Sequence, residues 1–384
     1  MDAAWALVLN LHQPPGNLDS LLDTDPWMAR EILWALDRIP RATWQYEDVA
    51  RVHLSLSGSL LETLASPGFQ ARVFGSVDCG SLLWHLQNTR TLEVLGTAYY
   101  HAVLPLIPQD DWHEQLKRWR GIAEHLLWRT SFRGFWPPEM GFCMQMIPWL
   151  KRMGYWYVLV DSQHVQAVSP MSWQEQTFRP HIARHGGEEI VVVVRDRDLS
   201  NAQESGMQVD WFLREVHART RGVEHPLVTT ASDGDNGGWF RNTTHGFWPT
   251  FHAELMERVR AGRAGLRPRF IHEYVQQHGV HGEVTVTAGA WNTGWHHGVG
   301  FVQWTGSQAQ QDALARIHHV SRSMHQARLN VGNENGTERA HHIEEARWRV
   351  LRAETSCNVF WGEAWVHRVH EDLNAAQWHL ERVG

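Results

Sequence analysis

Two carboxylates stand in sequence surroundings that suit acid–base chemistry. Glu139 lies in the segment FWPPEMGF, where two prolines stiffen a turn and aromatic neighbours exclude water from the acid. Asp233 lies in SDGDNGGW, a glycine-rich turn after an apolar run, where backbone can approach a ligand closely. Both segments also have a purely structural explanation, in which Glu139 caps a helix and Asp233 only turns the chain. If both acids face one cleft, they are the minimum equipment for breaking a glycosidic bond.

Aromatic residues beside polar ones form the second signal. The segment AWNTGWHHG places Trp291 and Trp295 next to Asn and His side chains. Sugar rings present one apolar CH face and a belt of hydroxyls, so tryptophan faces beside polar groups suit them. Three more tryptophans lie beside acidic residues, namely Trp136, Trp239 and Trp361. A packing role explains each of them better when it is taken alone, but together with the carboxylates they favour a carbohydrate site.

Composition narrows the class of protein. The 384 residues are 43% hydrophobic and 20% charged, which is typical of a globular chain, but 22 Trp and 26 His are an excess. The net charge of −7 argues against nucleic acid as the main partner. Three cysteines without a CxxC spacing predict neither a disulfide framework nor a zinc knuckle. We expect a cytoplasmic protein, since no signal peptide or membrane span is evident.

The histidines raise a metal site as an alternative. His12, His101 and the pair His296 and His297 could gather around a divalent ion. Neighbouring histidines point in different directions, however, and no HExxH motif is present. We therefore expect no metal and no cofactor, and we expect His12 and His101 to bind sugar hydroxyls or to keep Glu139 ionised.

The order of elements predicts an α/β fold. Short apolar runs alternate with helical segments over the first 235 residues, which implies parallel strands joined by right-handed crossovers. The predicted strands are Trp5–Leu11, Val52–Ser57, Leu92–Leu95, Gly134–Trp136, Tyr155–Val160, Ile190–Val194 and Leu227–Thr230. Polar residues follow each of them, and such residues converge at one mouth in barrel enzymes. The pattern therefore favours a closed or nearly closed barrel of about seven strands.

The C-terminal third has a different pattern. Helical periodicity covers Ser307–Arg328, Glu338–Thr355 and Ala364–Leu380, separated by turns rich in glycine and asparagine. We expect a helical bundle packed on the barrel. The predicted division is a catalytic barrel over residues 1–290, and a substrate loop with the bundle over residues 291–384.

Five ordered segments resemble the motifs of glycoside hydrolase family 57. They are LHQP at 11–14, LEVLG running into YYHAVLP at 92–105, WPPE at 136–139, DGDN at 233–236 and SCNVFW at 356–361. The resemblance spans nearly the whole chain, and it implies an incomplete (β/α)7 barrel with a helical C-terminal region. It also implies cleavage or rearrangement of α-glucans with retention of configuration.

Carried over by motif, the resemblance gives each site residue a role. Glu139 becomes the nucleophile and Asp233 the general acid/base of a double displacement. The expected substrate-binding residues are His12, Gln13, His101, Trp136, Asp235, Trp239, Trp291, Trp295 and Trp361.

The leading hypothesis is an amylase or a 4-α-glucanotransferase that acts on an oligo- or polysaccharide α-glucan without a cofactor. A branching enzyme of the same family is one alternative. Two others come from different classes: a metal-dependent polysaccharide deacetylase and a non-catalytic glucan-binding protein.

Overall fold

Seven parallel strands surround the core in the computed structural model, which describes residues 2–235, 237–291, 299–331 and 336–383. The strands in chain order are β1 (Ala3–Leu11), β2 (Val52–Leu56), β3 (Leu92–Leu95), β4 (Gly134–Phe135), β5 (Tyr157–Asp161), β6 (Val165–Ala167), β7 (His181–His185), β8 (Glu188–Arg195), β9 (Leu227–Asp233), β10 (Leu266–Pro268) and β11 (Val284–Val286). The spatial order β3-β2-β1-β9-β8-β5-β4 is parallel throughout. All seven predicted strands are present, so the α/β assignment is confirmed.

The sheet curls into a nearly closed barrel. Its two edge strands meet where the Trp136 amide donates to the Gly96 carbonyl and the Gly96 amide donates to the Gly134 carbonyl, each at 2.8 Å. Both glycines are needed there, because a Cβ atom on Gly96 or Gly134 would lie 2.2 Å from a tyrosine ring. On the other side β8 and β9 share one register pair, Arg195 with Thr229, so the barrel is incomplete at that seam.

Helices cover the outside of the barrel and build the C-terminal region. They are α1 (Asn17–Thr24), α2 (Pro26–Trp44), α3 (Gly58–Ala65), α4 (Pro67–Val73), α5 (Cys79–Asn88), α6 (Gln109–Leu127), α7 (Ile147–Arg152), α8 (Trp173–Phe178), α9 (Arg197–Ser205), α10 (Val209–Arg219), α11 (Gly237–Arg241), α12 (Ala253–Arg260), α13 (Ile271–His278), α14 (Val302–Thr305), α15 (Gln308–Val331), α16 (Glu338–Ala353), α17 (Ser356–Phe360) and α18 (Val366–Leu380). The helices α15, α16 and α18 pack on one another, which confirms the predicted bundle.

The bundle is joined to the barrel at the level of the site. One buried apolar cluster runs from barrel residues such as Val8 and Leu159 to bundle residues such as Ile317 and Val350. A bridge between Ala102 and Thr355 ties the segment after β3 to the turn before α17. The bundle therefore packs directly over the residues that follow two of the barrel strands.

Several elements of the barrel were not predicted from the sequence, among them β7, α9 and the short strand β10, which pairs parallel with β1. The strand β7 pairs antiparallel with β8 outside the parallel order, and α9 follows β8 directly. The predicted strand Ile190–Val194 lies within the observed β8, whereas its antiparallel partner β7 has the sequence HIARH, whose apolar residues are too few to mark a strand. Helix α9 is polar, and its N-cap is Asp196, whose side chain accepts from the Leu199 amide at 2.9 Å.

Candidate active site

Glu139 projects from a strained turn at the end of β4. The turn Pro138–Met140 is a short 3₁₀ helix, and Glu139 itself has φ 57° and ψ 19°. A non-glycine residue in this left-handed region is uncommon and persists where its surroundings fix it. Here the Glu139 carbonyl accepts from the Trp291 amide at 2.9 Å. The turn therefore aims the carboxylate at a defined place above the barrel.

Two donors hold the Glu139 carboxylate. Trp291 Nε1 donates to Oε2 at 2.8 Å, and Ser356 Oγ lies 3.0 Å from Oε1. The side chain is 16% exposed, so it retains some access to solvent. Burial raises the pKa of Glu139, while the Trp291 bond, nearby His12 and the Ser356 bond act in the opposite direction. These donors favour the ionised form that a nucleophile requires.

Asp233 ends β9 next to the middle strand β1. The register of the two parallel strands places Asn10 beside Asp233, and Asn10 Nδ2 donates to Asp233 Oδ1 at 2.9 Å. The backbone continues this contact, since the Gly234 amide donates to the Asn10 carbonyl at 3.0 Å. Asn10 is buried, whereas Asp233 is partly exposed. The end of β1 thus fixes the position of Asp233, which keeps partial access to solvent.

His101 links the two carboxylates through one chain of hydrogen bonds. Its Nε2 lies 3.1 Å from Asn10 Oδ1, and its Nδ1 lies 3.0 Å from Ser356 Oγ. Burial lowers the pKa of His101 to about 3, so the ring is neutral. Asn10 donates to Asp233 through its Nδ2, so its Oδ1 must accept a hydrogen bond from His101 Nε2–H. The chain runs from Glu139 through Ser356, His101 and Asn10 to Asp233.

The hydroxyl of Ser356 occupies a special position in this chain. It has one proton, yet it lies between two acceptors, Glu139 Oε1 and the unprotonated Nδ1 of His101. An ionised carboxylate is the stronger acceptor, so the proton points to Glu139 in the resting site. The contact of His101 Nδ1 with Glu139 Oε1, 3.5 Å apart, shows how closely the three groups are packed.

His12 and Gln13 lie beside this chain. The His12 ring stacks on His101, with centroids 4.2 Å apart, and its Nδ1 lies 2.9 Å from Ser57 Oγ. Its buried Nε2 has no partner among the described residues. Gln13 Nε2 donates to Asp235 Oδ2 at 2.8 Å. The structure thus brings both first-motif residues to the site, with one ring nitrogen of His12 unused.

Two further carboxyls surround Asp233. Burial, and then the charge of Asp233, raise the pKa of Asp235 to about 7. The same two causes, in the same order, raise the pKa of Glu204 to about 7, while Arg195 acts against them. Glu204 lies on α9 and was not expected from the sequence. Carboxyls that crowd one another cannot all ionise, so this side of the site retains protons near neutral pH.

The predicted tryptophans take different positions. Trp136 is fully buried and packs edge-on against Trp291, with centroids 5.3 Å apart, so it supports the ring that holds Glu139. Trp239 is half-buried beside Gly206, at the end of α9. Trp361 is 55% exposed and contacts Phe360 and Trp365. Trp295 lies outside the described residues, as do His296 and His297.

Asn10, Ser356 and Glu204 are the site residues that sequence reasoning missed. Asn10 stands two positions before His12 at the end of an apolar strand, and that polar residue in a buried strand was a usable signal. Ser356 opens the last motif segment, but nothing local pairs it with Glu139, 217 positions away. Glu204 lies on a polar helix without any such mark.

The described part of the chain contains no candidate metal site, because no three His, Cys, Asp or Glu side chains lie close enough together there to hold an ion. The stacked rings of His12 and His101 hydrogen-bond to serines rather than turning nitrogens towards one point. Among the same residues, no helix is both long and apolar enough to cross a membrane.

Comparison with known proteins identifies the family. The model of glycosyl hydrolase family 57 matches residues 34–286, which is more than half of the chain. The chain therefore belongs to glycosyl hydrolase family 57.

Relatives within the family are longer than this chain. An alpha-amylase of Pyrococcus horikoshii is 25% identical over 248 residues, which cover 64% of this chain and 35% of the relative. A 4-alpha-glucanotransferase of Thermococcus kodakarensis is 25% identical over 233 residues, covering 60% and 32%. The aligned region thus spans about a third of these two relatives' length.

Solved structures share the fold over nearly the whole chain. A 4-alpha-glucanotransferase from Thermococcus litoralis superposes with a TM-score of 0.70 at 19% identity, covering 98% of this chain and 60% of that one. A GH57-type branching enzyme from Pyrococcus horikoshii gives a TM-score of 0.73 at 15% identity, covering 100% and 88%. The incomplete barrel with its helical C-terminal region is therefore the fold of both neighbours.

Proposed function

We propose that this protein is a retaining α-glucan-active enzyme of the amylase or 4-α-glucanotransferase type. Family membership and the names of the curated relatives support the α-glucan substrate. The observation that supports the mechanism is the difference between the two carboxylates. Glu139 lies between two hydrogen-bond donors, whereas Asp233 has other carboxyl groups as neighbours. Such an opposed pair is what double displacement requires.

The first step breaks the glycosidic bond. Glu139 attacks the anomeric carbon, while Asp233 gives its proton to the oxygen of the leaving sugar. The charge of Glu139 is consumed in the new ester bond, and Ser356 can then turn its proton to His101 Nδ1, 3.0 Å away. The Ser356 hydroxyl thus donates to the Glu139 carboxylate while that group is charged, and donates to His101 Nδ1 once the carboxylate has become an ester.

The second step releases the glycosyl-enzyme. Asp233, now ionised, takes a proton from water or from a sugar hydroxyl, and the resulting oxygen attacks the anomeric carbon. The bond to Glu139 breaks and its charge returns. Water gives hydrolysis, whereas a sugar hydroxyl gives transfer. We assign sugar contacts to His12, through its free Nε2, and to Trp239 and Trp361 at the exposed margin.

Product analysis with maltoheptaose tests the proposal. Only shorter oligosaccharides indicate hydrolysis, ladders longer than the donor indicate transfer, and branch points sensitive to a debranching enzyme indicate branching. Glu139→Gln should reduce turnover by at least about 10³-fold and leave maltoheptaose binding measurable, since it removes the nucleophile but keeps a similar shape. Full activity of Glu139→Gln, or no product from the unchanged protein, would refute the proposal.

A further inference from the structure

Exposed tryptophans form a stripe along the outer side of α2. Trp27, Trp34 and Trp44 are 62%, 37% and 45% exposed. Positions 27, 34 and 41 are separated by about two helical turns each, and Trp44 lies about one turn after Arg41, so all four lie within an arc of about 100° around the helix axis. Burial of tryptophan is normally strongly favourable, so this much exposure on one side needs a reason.

The stripe widens where α5 packs against α2. Trp84 of α5 is 48% exposed, and its ring stacks on Trp44 with centroids 6.0 Å apart and planes 23° apart. His85 meets both rings edge-on, with centroids 5.2 Å and 5.1 Å away. We call the side chains of Trp27, Trp34, Trp44 and Trp84 the tryptophan stripe. The ring contacts keep the wide end of the stripe rigid, which lowers the entropic cost of binding.

Charge and composition indicate the chemistry of the occupant. Arg41 lies between Trp34 and Trp44 in sequence, and its guanidinium donates to Asp37 at 2.6 Å, so these two charges cancel. In α2 and α5, which the structure describes completely, every large exposed apolar side chain is a tryptophan. Flat rings beside paired polar groups suit a neutral ligand that has apolar faces and many hydroxyls. Aromatic residues are also enriched at protein interfaces, so a second copy of this chain is the occupant that the test must exclude.

The first turn of α2, which carries Trp27, lies close to the candidate active site. In the first turn of α2, Met28 Sδ lies 2.8 Å from Arg241 Nη1, and Arg241 Nε donates to the Asp235 carbonyl at 2.9 Å. From Trp27 to Trp44 the helix extends over about 25 Å, at a rise of about 1.5 Å per residue. Helix α2, which carries three members of the stripe, therefore runs from near the acidic turn of β9 along the outside of the barrel.

We propose that the tryptophan stripe is a second carbohydrate-binding site, which holds a distant segment of the same α-glucan polymer that enters the active site. This inference rests on the proposed function for the identity of the sugar. The site acts on long chains only, because a short oligosaccharide cannot occupy the cleft and the far end of the stripe together. Binding at two places on one polymer raises its effective concentration at the cleft.

Retention by soluble amylose in native gel electrophoresis tests this site. We would compare Glu139→Gln protein, which leaves the polymer intact, with the same protein carrying Trp44→Ala and Trp84→Ala. We expect the apparent affinity for amylose to fall at least about tenfold, while turnover of maltoheptaose by the otherwise unchanged double variant stays the same. The matched control is Trp173→Ala with Trp378→Ala, which are 57% and 48% exposed outside α2 and α5.

Two further variants test whether the alanine substitutions act on binding or on folding. Trp27→Ala removes the most exposed member of the stripe and should weaken amylose retention without changing the melting temperature. Trp44→Phe with Trp84→Phe keeps flat rings and should restore most of the retention.

The outcomes separate this inference from the proposed function. Unchanged amylose retention in the double variant, with normal maltoheptaose turnover, overturns the stripe and leaves the function standing. Loss of a dimer in light scattering without a change in retention also overturns it, because the stripe then covers a second copy of the chain. Retention that depends on the stripe, without any turnover of glucans, upholds the stripe and refutes the function.

Discussion

The two candidate catalytic carboxylates lie in opposite chemical surroundings. Glu139 is held by an indole N–H and a hydroxyl, and the neutral ring of His101 packs beside it. Asp233 accepts a bond from Asn10 but has Asp235 and Glu204 as electrostatic neighbours. Donors stabilise a negative charge, whereas carboxyls oppose one.

This difference agrees with the roles that the family resemblance implies. A carboxylate surrounded by donors is suited to attack, and one crowded by acids is suited to carry a proton near neutral pH. The chain of hydrogen bonds through Ser356, His101 and Asn10 joins the two regions, so a change on one side can be felt on the other.

Chemical rescue by azide is the strongest test of the different roles proposed for Glu139 and Asp233. Glu139→Ala and Asp233→Ala should each lower turnover of maltoheptaose by at least about 10³-fold. With α-maltosyl fluoride and azide, Glu139→Ala should yield the β-azide, since azide attacks from the side that the carboxylate occupied and fluoride leaves from the other. Asp233→Ala should yield the α-azide, because azide attacks the glycosyl-enzyme. Product anomers are assigned by proton NMR, and the reverse pattern would exchange the two roles.

Removing one donor from Glu139 should have an intermediate effect. Trp291→Phe keeps the ring but loses the bond to Oε2, so kcat should fall about 10- to 100-fold. That bond acts to lower the pKa of Glu139, so its loss should move the acidic limb of the kcat/KM profile to higher pH.

Trp304→Phe is the matched control for Trp291→Phe, because Trp304 is equally buried but its Nε1 has no partner among the described residues. The pH profile of this control should be that of the unchanged protein. If both variants shift the acidic limb equally, the Trp291 bond has no specific effect on Glu139.

Neutralising the acidic side should have the smallest effect. Glu204→Gln removes a negative charge beside Asp233, so the proposed acid should lose its proton more easily and the basic limb of the profile should move to lower pH by up to about one unit. The rate at the optimum should change less than about tenfold. Asp198→Asn, on the exposed side of α9, is the control. An unmoved basic limb in Glu204→Gln would show that Glu204 does not act on Asp233.

The sequence predicted the barrel because its strands are buried on both faces. Such strands are short runs of valine, leucine and isoleucine, and the run Ile190–Val194 or Leu92–Leu95 is visible without any tertiary information. The antiparallel strand β7 and helix α9 were missed because their stability depends on packing against β8 and β9. Local pattern carries little of that information.

The amino-acid sequence by itself determined the parallel strands, the bundle, and the placement of Glu139, Asp233, His12 and His101 at or beyond strand ends, since residue type and periodicity are local properties. Only the tertiary structure decided what surrounds each acid. Ser356 reaches Glu139 because the bundle packs on the segment after β3, and Glu204 influences Asp233 because α9 packs on β9. Those contacts join residues far apart in the chain, and the free energy of burial that brings them together belongs to the whole fold.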